Sequence, residues 1–453
     1  MTTSAAVREG KVSFGPVMEV EAFRFPNGLR LLVQRDNAAP VVCIQSWVRV
    51  GSRTEREGKT GICHLFEHLM FGETEKMPHG AFDRTLEEAG VETNAATFLD
   101  WTYYHQNLPK EALDLSLRLE ADRLTHLVLR EPQVTSEKDV VANERRQRVD
   151  DDVDGAASEL LYKTAFVKHG YGIPTIGWMP DIQGFTPEDC VTFYRTYYAP
   201  NNVTLVVVGD VETEALLALV DKHYGALAPS SIPHEIDRPE PAQTEERRAE
   251  LSLPTPTFKL AIGYKSPALA HPDHAVLSVL AEILFGGRGA RMYRALTRRA
   301  EMATDVRGWV GTFKDPALFD IWLSAKPGVT GEALLASFDE ELAKLFAAPP
   351  DEAELEKAKA RLELDTIQGL ENVSGRAETL GLFDTVLGDP AALFARLDAQ
   401  RRATVADVMD VAKRYLKPQQ RTIVMVHPDG SEDSDEEDEA DEADADDASG
   451  AGQ

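Results

Sequence analysis

Two stretches of this chain, 218 residues apart, spell the same unit. Tyr197, Pro200, Thr204, Val206 and Val208 recur as Tyr415, Pro418, Thr422, Val424 and Val426. Each stretch reads as a helix ending near a tyrosine, then a proline turn, then an apolar strand; five matches in twelve positions point to a duplication. A duplicated unit builds two similar cores. The 453 residues also exceed the roughly 250–300 at which one core stops growing. The expectation is an α+β protein of two homologous domains. Each is a mainly antiparallel sheet covered by helices, and the two face each other across a cleft like a clamshell.

Local signals place the parts. Glu21 to Phe25, Pro26-Asn27-Gly28 and Leu29 to Val33 predict a β-hairpin, because Asn-Gly accepts the positive φ of a tight turn. Helical spacing predicts helices within 61–71, 110–127 and 133–149, and strand character returns over 41–50 and 91–107. Residues 229–246, with Pro229, Pro233, Pro239 and Pro241, read as a linker. The predicted organisation is an N-terminal extension (1–17), a first domain (18–228), the linker, a second domain (247–428) and a tail (429–453).

Charge excludes several functions. Lys+Arg 48 against Asp+Glu 76 gives −28, so a general binder of nucleic acid is excluded. Asp429 to Asp447 holds 13 acids and no base, which leaves about −15 for the rest. Residues 429–453 have no aromatic side chain and little to bury, so a disordered acidic tail is expected. No apolar run approaches the ~20 residues of a membrane helix, and the first residues lack the apolar stretch of a secretory signal. Cys43, Cys63 and Cys190 make no disulfide framework and suit a reducing compartment. A cytoplasmic protein without membrane partners is expected.

The chemistry is concentrated in His64-Leu-Phe-Glu67-His68. On a helix, i and i+4 share a face, so both imidazoles reach one ion with Glu67 beside them. Leu65, Phe66, Leu69 and Met70 make the other face apolar, which a solvated surface helix seldom shows. A catalytic zinc takes three protein ligands and keeps one position open. The third comes from elsewhere in the chain. Glu137 and Glu144, seven apart on one predicted helix face, are both candidates, and spacing does not choose between them. His271-Pro-Asp-His274 reads as a helix start and not as a second metal site.

These residues resemble the pitrilysin/insulinase-type zinc peptidases, the inverzincins. The similarity is strongest to their short two-domain branch, which holds the mitochondrial processing peptidase subunits and their bacterial homologues. It covers about residues 18–428. The family's glutamate ligand follows the motif by 76 residues, which is Glu144 here, and its supporting glutamate lies seven earlier, at Glu137. The stretch Asn94, Ala95, Ala96 and Thr97 resembles the family's substrate-binding edge strand; His169 to Gly172, Ile176-Gly177 and Tyr198 to Asn202 match later landmarks. The resemblance implies a metalloendopeptidase acting on peptides or short unfolded segments. It has one Zn2+ per chain held by His64, His68 and Glu144, Glu67 as the proton carrier and Glu137 as a supporting group.

One departure matters. The family places an arginine and a tyrosine seven residues apart in the second domain; the matching positions here hold Thr297 and Thr304. In the short branch this division resembles heterodimers, one subunit with zinc and a homologue with the gripping pair. The resemblance thus implies a homologous partner without the histidine motif, with a homodimer as the alternative. A structural subunit that keeps the fold without cleaving is the competing reading.

Overall fold

The computed structural model describes residues 6–14, 18–234 and 238–430. The expected acidic tail falls almost wholly outside the described residues. The strands are β1 (Val7–Phe14), β2 (Met18–Arg24), β3 (Arg30–Arg35), β4 (Val41–Val48), β5 (Glu92–Thr97), β6 (Thr102–Pro109), β7 (Val203–Gly209), β8 (Arg247–Leu253), β9 (Lys259–Lys265), β10 (Ala303–Val310), β11 (Leu318–Ala325) and β12 (Arg421–Pro428). The helices are α1 (Ile62–Leu69), α2 (Ala81–Glu88), α3 (Leu113–His126), α4 (Glu131–Arg145), α5 (Val153–Ala165), α6 (Met179–Gly184), α7 (Pro187–Tyr197), α8 (Thr213–Tyr224), α9 (Pro272–Phe285), α10 (Gly331–Ala347), α11 (Glu352–Gly369), α12 (Val373–Leu387), α13 (Ala392–Arg402) and α14 (Val405–Tyr415).

The chain forms two compact units. The first holds a seven-stranded sheet in the order β1-β2-β3-β7-β4-β6-β5. The β2–β3 hairpin turns on Gly28 at φ +90°, as Asn-Gly predicts, and Asn27 is tied down by the carbonyls of Tyr224 and Leu227. Residues 7–14, read as an extension, instead form β1, an outer strand paired antiparallel with β2. Charged pairs across that seam, Lys11 with Glu19 and Arg8 with Glu21, give a polar segment a reason to join the sheet. Side chains alternate between faces. Cys43, Trp47, Val206 and Val208 pack with Ala377 and Leu380 of α12. Tyr104, on the opposite face, donates from its hydroxyl to the Phe66 carbonyl of α1 at 3.1 Å.

The second unit holds a five-stranded sheet in the order β10-β11-β9-β12-β8. Its core is Leu260, Ile262, Phe319, Ile321 and Ile423 with the apolar faces of α9, α10 and α14. The duplication read from the sequence is present in topology. The order β3-β7-β4-β6-β5 repeats as β8-β12-β9-β11-β10, with β7 and β12 each parallel to one neighbour and antiparallel to the other. Thr186 with Asp189 and Thr404 with Asp407, again 218 apart, form the same capping box at the starts of α7 and α14.

The units are not the contiguous stretches 18–228 and 247–428. Residues 146–167 belong to the second unit and 363–399 to the first. Helix α5 lies on β8, β9 and β12 while α12 lies on β4 and β7, so each half lends a helix to the other's sheet. The two helices start alike. Asp152 caps Gly155 and Asn372 caps Gly375, and in each case the missing Cβ makes room for the carbonyl of a preceding residue, Arg148 or Gly369. Residues 241–246 precede β8 without helix or strand. All three cysteines are buried and free.

Candidate metal centre

Helix α1 begins unusually. Its first residues have no side-chain cap at Gly61; Glu55 reaches over instead, accepting from the amides of Gly61 at 2.7 Å and Cys63 at 2.9 Å. These are two of the four amides a helix leaves without partners. Burial nevertheless raises the Glu55 carboxyl to about 7, because the amides offset only part of the lost hydration. The apolar face, Ile62, Leu65, Phe66 and Leu69, is buried, and the Phe66 ring lies tilted against Phe193 at 4.9 Å and Tyr198 at 5.2 Å. That packing fixes which way the polar face looks.

The polar face carries His64, Glu67 and His68. Their counterpart is α4, which packs against α1 and brings Glu137 and Glu144 two turns apart on one side. His64 Nε2 lies 3.4 Å and His68 Nε2 3.2 Å from Glu144 Oε2, and the two rings are 5.0 Å apart at 69°. Glu137 Oε2 is 3.7 Å from His68 Nδ1, behind that imidazole. Spacing left Glu137 and Glu144 open; the structure puts Glu144 between the histidines and Glu137 at the rear of one. Among the described residues, His64, His68 and Glu144 alone form a group of three possible ligand atoms, all within 4.8 Å of one another.

The group fits zinc. Ligand atoms at 2.0–2.1 Å from a tetrahedral ion stand about 3.4 Å apart, which matches both distances to Glu144. The donors are two imidazole nitrogens and a carboxylate, as zinc prefers. The electrostatics also ask for a cation. Burial alone would lower the pKa of His68, but Glu137, Glu144 and Glu67 outweigh it and raise it to about 9. Three side chains are mostly sheltered, with His64 at 10%, Glu144 at 17% and His68 at 24% side-chain exposure, so a small opening to solvent is left at His68.

The residues of the other predicted element lie on β5, the last strand of its sheet, with one edge unpaired among the described residues. Asn94 is exposed, opposite His105 in the ladder, and its Oδ1 accepts from the next amide, Ala95, at 2.8 Å. Helix α1 packs on this strand and on β6. Thr297 and Thr304 lie apart in local structure, the first in a π-turn over Tyr293–Arg299 and the second on β10. Sequence reasoning missed Glu55 as a support of α1. A lone acid six residues before a glycine has no recognisable pattern, because its role depends on a loop folding back.

The chain is similar to known proteins along most of its length. Residues 30–178 match the family described as insulinase, peptidase family M16, and residues 184–362 match the companion described as peptidase M16 inactive domain. The chain is 33% identical over 418 residues to zinc protease PqqE of Helicobacter pylori, covering 90% of this chain and 93% of that one. It is 26% identical over 425 residues to the probable mitochondrial-processing peptidase subunit beta of Arabidopsis thaliana, covering 90% and 78%. The crystal structure of a protease from Helicobacter pylori superposes with a TM-score of 0.87 at 31% identity, over 90% of this chain and 99% of that one. The chain belongs to the insulinase family of peptidases, M16, in its short two-domain branch.

Proposed function

We propose that this chain is a zinc-dependent endopeptidase for peptides or short unfolded segments, with His64, His68 and Glu144 as the metal ligands. The observation that carries the reading is the approach of two imidazole nitrogens to one carboxylate oxygen at 3.4 and 3.2 Å. A bound zinc ion supplies a Lewis acid that acidifies water and polarises a carbonyl. The remaining work falls to the protein. Glu67, half-buried on the same helix face, takes the proton of the attacking water and returns it to the leaving amine. Glu137 holds the Nδ1 side of His68, which fixes the tautomer that leaves Nε2 free to bind metal. The unpaired edge of β5, from Asn94 through Ala95 and Ala96 to Thr97, pairs with an extended substrate through main-chain hydrogen bonds. The threonines at 297 and 304 leave this chain without an arginine and tyrosine to grip substrate, so a homologous subunit supplies them. A cytoplasmic setting accords with three reduced, buried cysteines.

The test pairs metal analysis with turnover. Wild-type chain should hold one zinc, and Glu67→Gln should keep it while cleavage of an unfolded peptide falls roughly 10²–10⁴-fold. His68→Ala should lose both. A chain that binds no zinc with the ligand set intact would establish the second reading, a non-catalytic subunit. That reading is favoured by the missing gripping pair alone.

A further inference from the structure

The three ligands stand on two separate helices, so the spacing between α1 and α4 decides whether they converge. One loop residue, Gly177, touches both helices. Gly61 at φ +89° and Gly177 at φ +86° meet backbone to backbone. A Cβ on Gly61 would lie 2.8 Å from the Gly177 Cα, and one on Gly177 would lie 2.5 Å from the Gly61 Cα. Both contacts are closer than real Cβ atoms allow, so only glycine fits on either side. On its other side Gly177 is bound to α4. Its carbonyl accepts from Arg145 Nη1 at 2.7 Å, and Arg145 directly follows Glu144. Arg145 is buried, with its guanidinium 5.6 Å from the Trp178 ring. The Trp178 amide donates to Thr60 Oγ1 at 3.0 Å, and Thr60 donates through both amide and hydroxyl to Asp181 Oδ2.

We infer that Arg145, Gly177 and Gly61 form a clasp that sets the α1–α4 spacing and so holds Glu144 against His64 and His68. This rests on the zinc reading above and names the parts that make the site ready for metal. Arg145 and Gly177 are positioning residues: neither is a ligand, and both act through the distance between ligands. Ligand distances in a metal site hold to within about 0.2 Å of their ordinary values, so a shift of α4 against α1 acts directly on the site. The clasp therefore governs metal affinity more than it governs folding.

The test measures zinc affinity by chelator competition, and the visible absorption of the Co(II)-loaded protein, at a temperature where far-ultraviolet circular dichroism shows every variant folded. Arg145→Met should weaken zinc binding by roughly 10–100-fold and shift the cobalt band. Thr404→Ala, which weakens a helix cap in the other unit, should leave both readings at the wild-type value. If Arg145→Met does not fold, Arg145→Gln replaces it, with a loss of at least about threefold expected. Wild-type zinc affinity and an unshifted cobalt band in a folded Arg145 variant would overturn the clasp while leaving the zinc reading intact. Absence of zinc binding by the wild-type chain would overturn both.

Discussion

Asp320 lies on β11, buried, with the Tyr162 hydroxyl donating to its Oδ2 at 2.8 Å. Burial lifts its carboxyl to about 7, and the tyrosine only partly opposes this. The folded state thus holds a proton that the unfolded chain, with an ordinary carboxyl near 3.8, releases. Its contribution is full below the unfolded value and is lost as pH rises through about 7. Asp320→Asn removes the titration. Thermal melts should show the variant more stable than wild type at pH 8, on the order of 2 kcal/mol, with the two converging near pH 4. Parallel melting curves across that range would contradict the assignment. The same scale explains why one carboxylate of the two lies between the histidines. Glu137 and Glu144 share a helix face, and only the two-turn offset decides which meets the Nε2 atoms of both histidines.

Helix α12 is pinned by one side chain. Asp384, fully buried, pairs in charge with Arg30 Nε at 2.9 Å and accepts from Arg49 Nη2 at 3.1 Å and Thr204 Oγ1 at 2.8 Å, joining the helix to β3, β7 and the end of β4. Removing one partner of a buried ion cluster leaves the others uncompensated. Asp384→Ala should cost about 3 kcal/mol. As α12 loosens, the fluorescence of Trp47, whose ring lies against Gly381, should shift to the red. A melt within a degree of wild type would show that apolar packing alone holds the helix. The twin capping boxes offer a smaller measure of an element's own stability: Thr404→Ala should lose about 1 kcal/mol, read from urea midpoints.

The reciprocal loan of α5 and α12 makes the halves dependent on each other for their cores. Fragments 6–234 and 238–430 each lack a helix that covers part of their sheet, so the first exposes Trp47, Val206 and Val208. Each fragment alone should bind a hydrophobic dye and melt without a sharp transition, and mixing them should restore cooperative unfolding in a calorimeter. A sharp melt of either fragment by itself would refute the dependence. Activity should depend on assembly as well. The isolated chain is expected to cleave slowly, with kcat/KM rising roughly 10²-fold on adding a homologous chain that bears the arginine and tyrosine, as loss of one transition-state donor implies. Full turnover by a verified monomer would remove the need for a partner.

Much of this was written in the order of residues. The duplication was visible because the turn and strand chemistry at Tyr197 to Val208 must recur wherever the same local structure recurs. The histidine pair was visible because i and i+4 share a face in any helix. What needed the tertiary structure were relations between elements distant in sequence. Spacing left Glu137 and Glu144 equal until α4 was laid against α1. The linear division at residues 229–246 gave no hint that α5 and α12 pack with the opposite halves, since an apolar helix face states that it must be covered and not by which sheet. Glu55 and Arg145 carry no local pattern either. Their roles exist only where loops fold back within hydrogen-bond reach, and that reach is decided by packing.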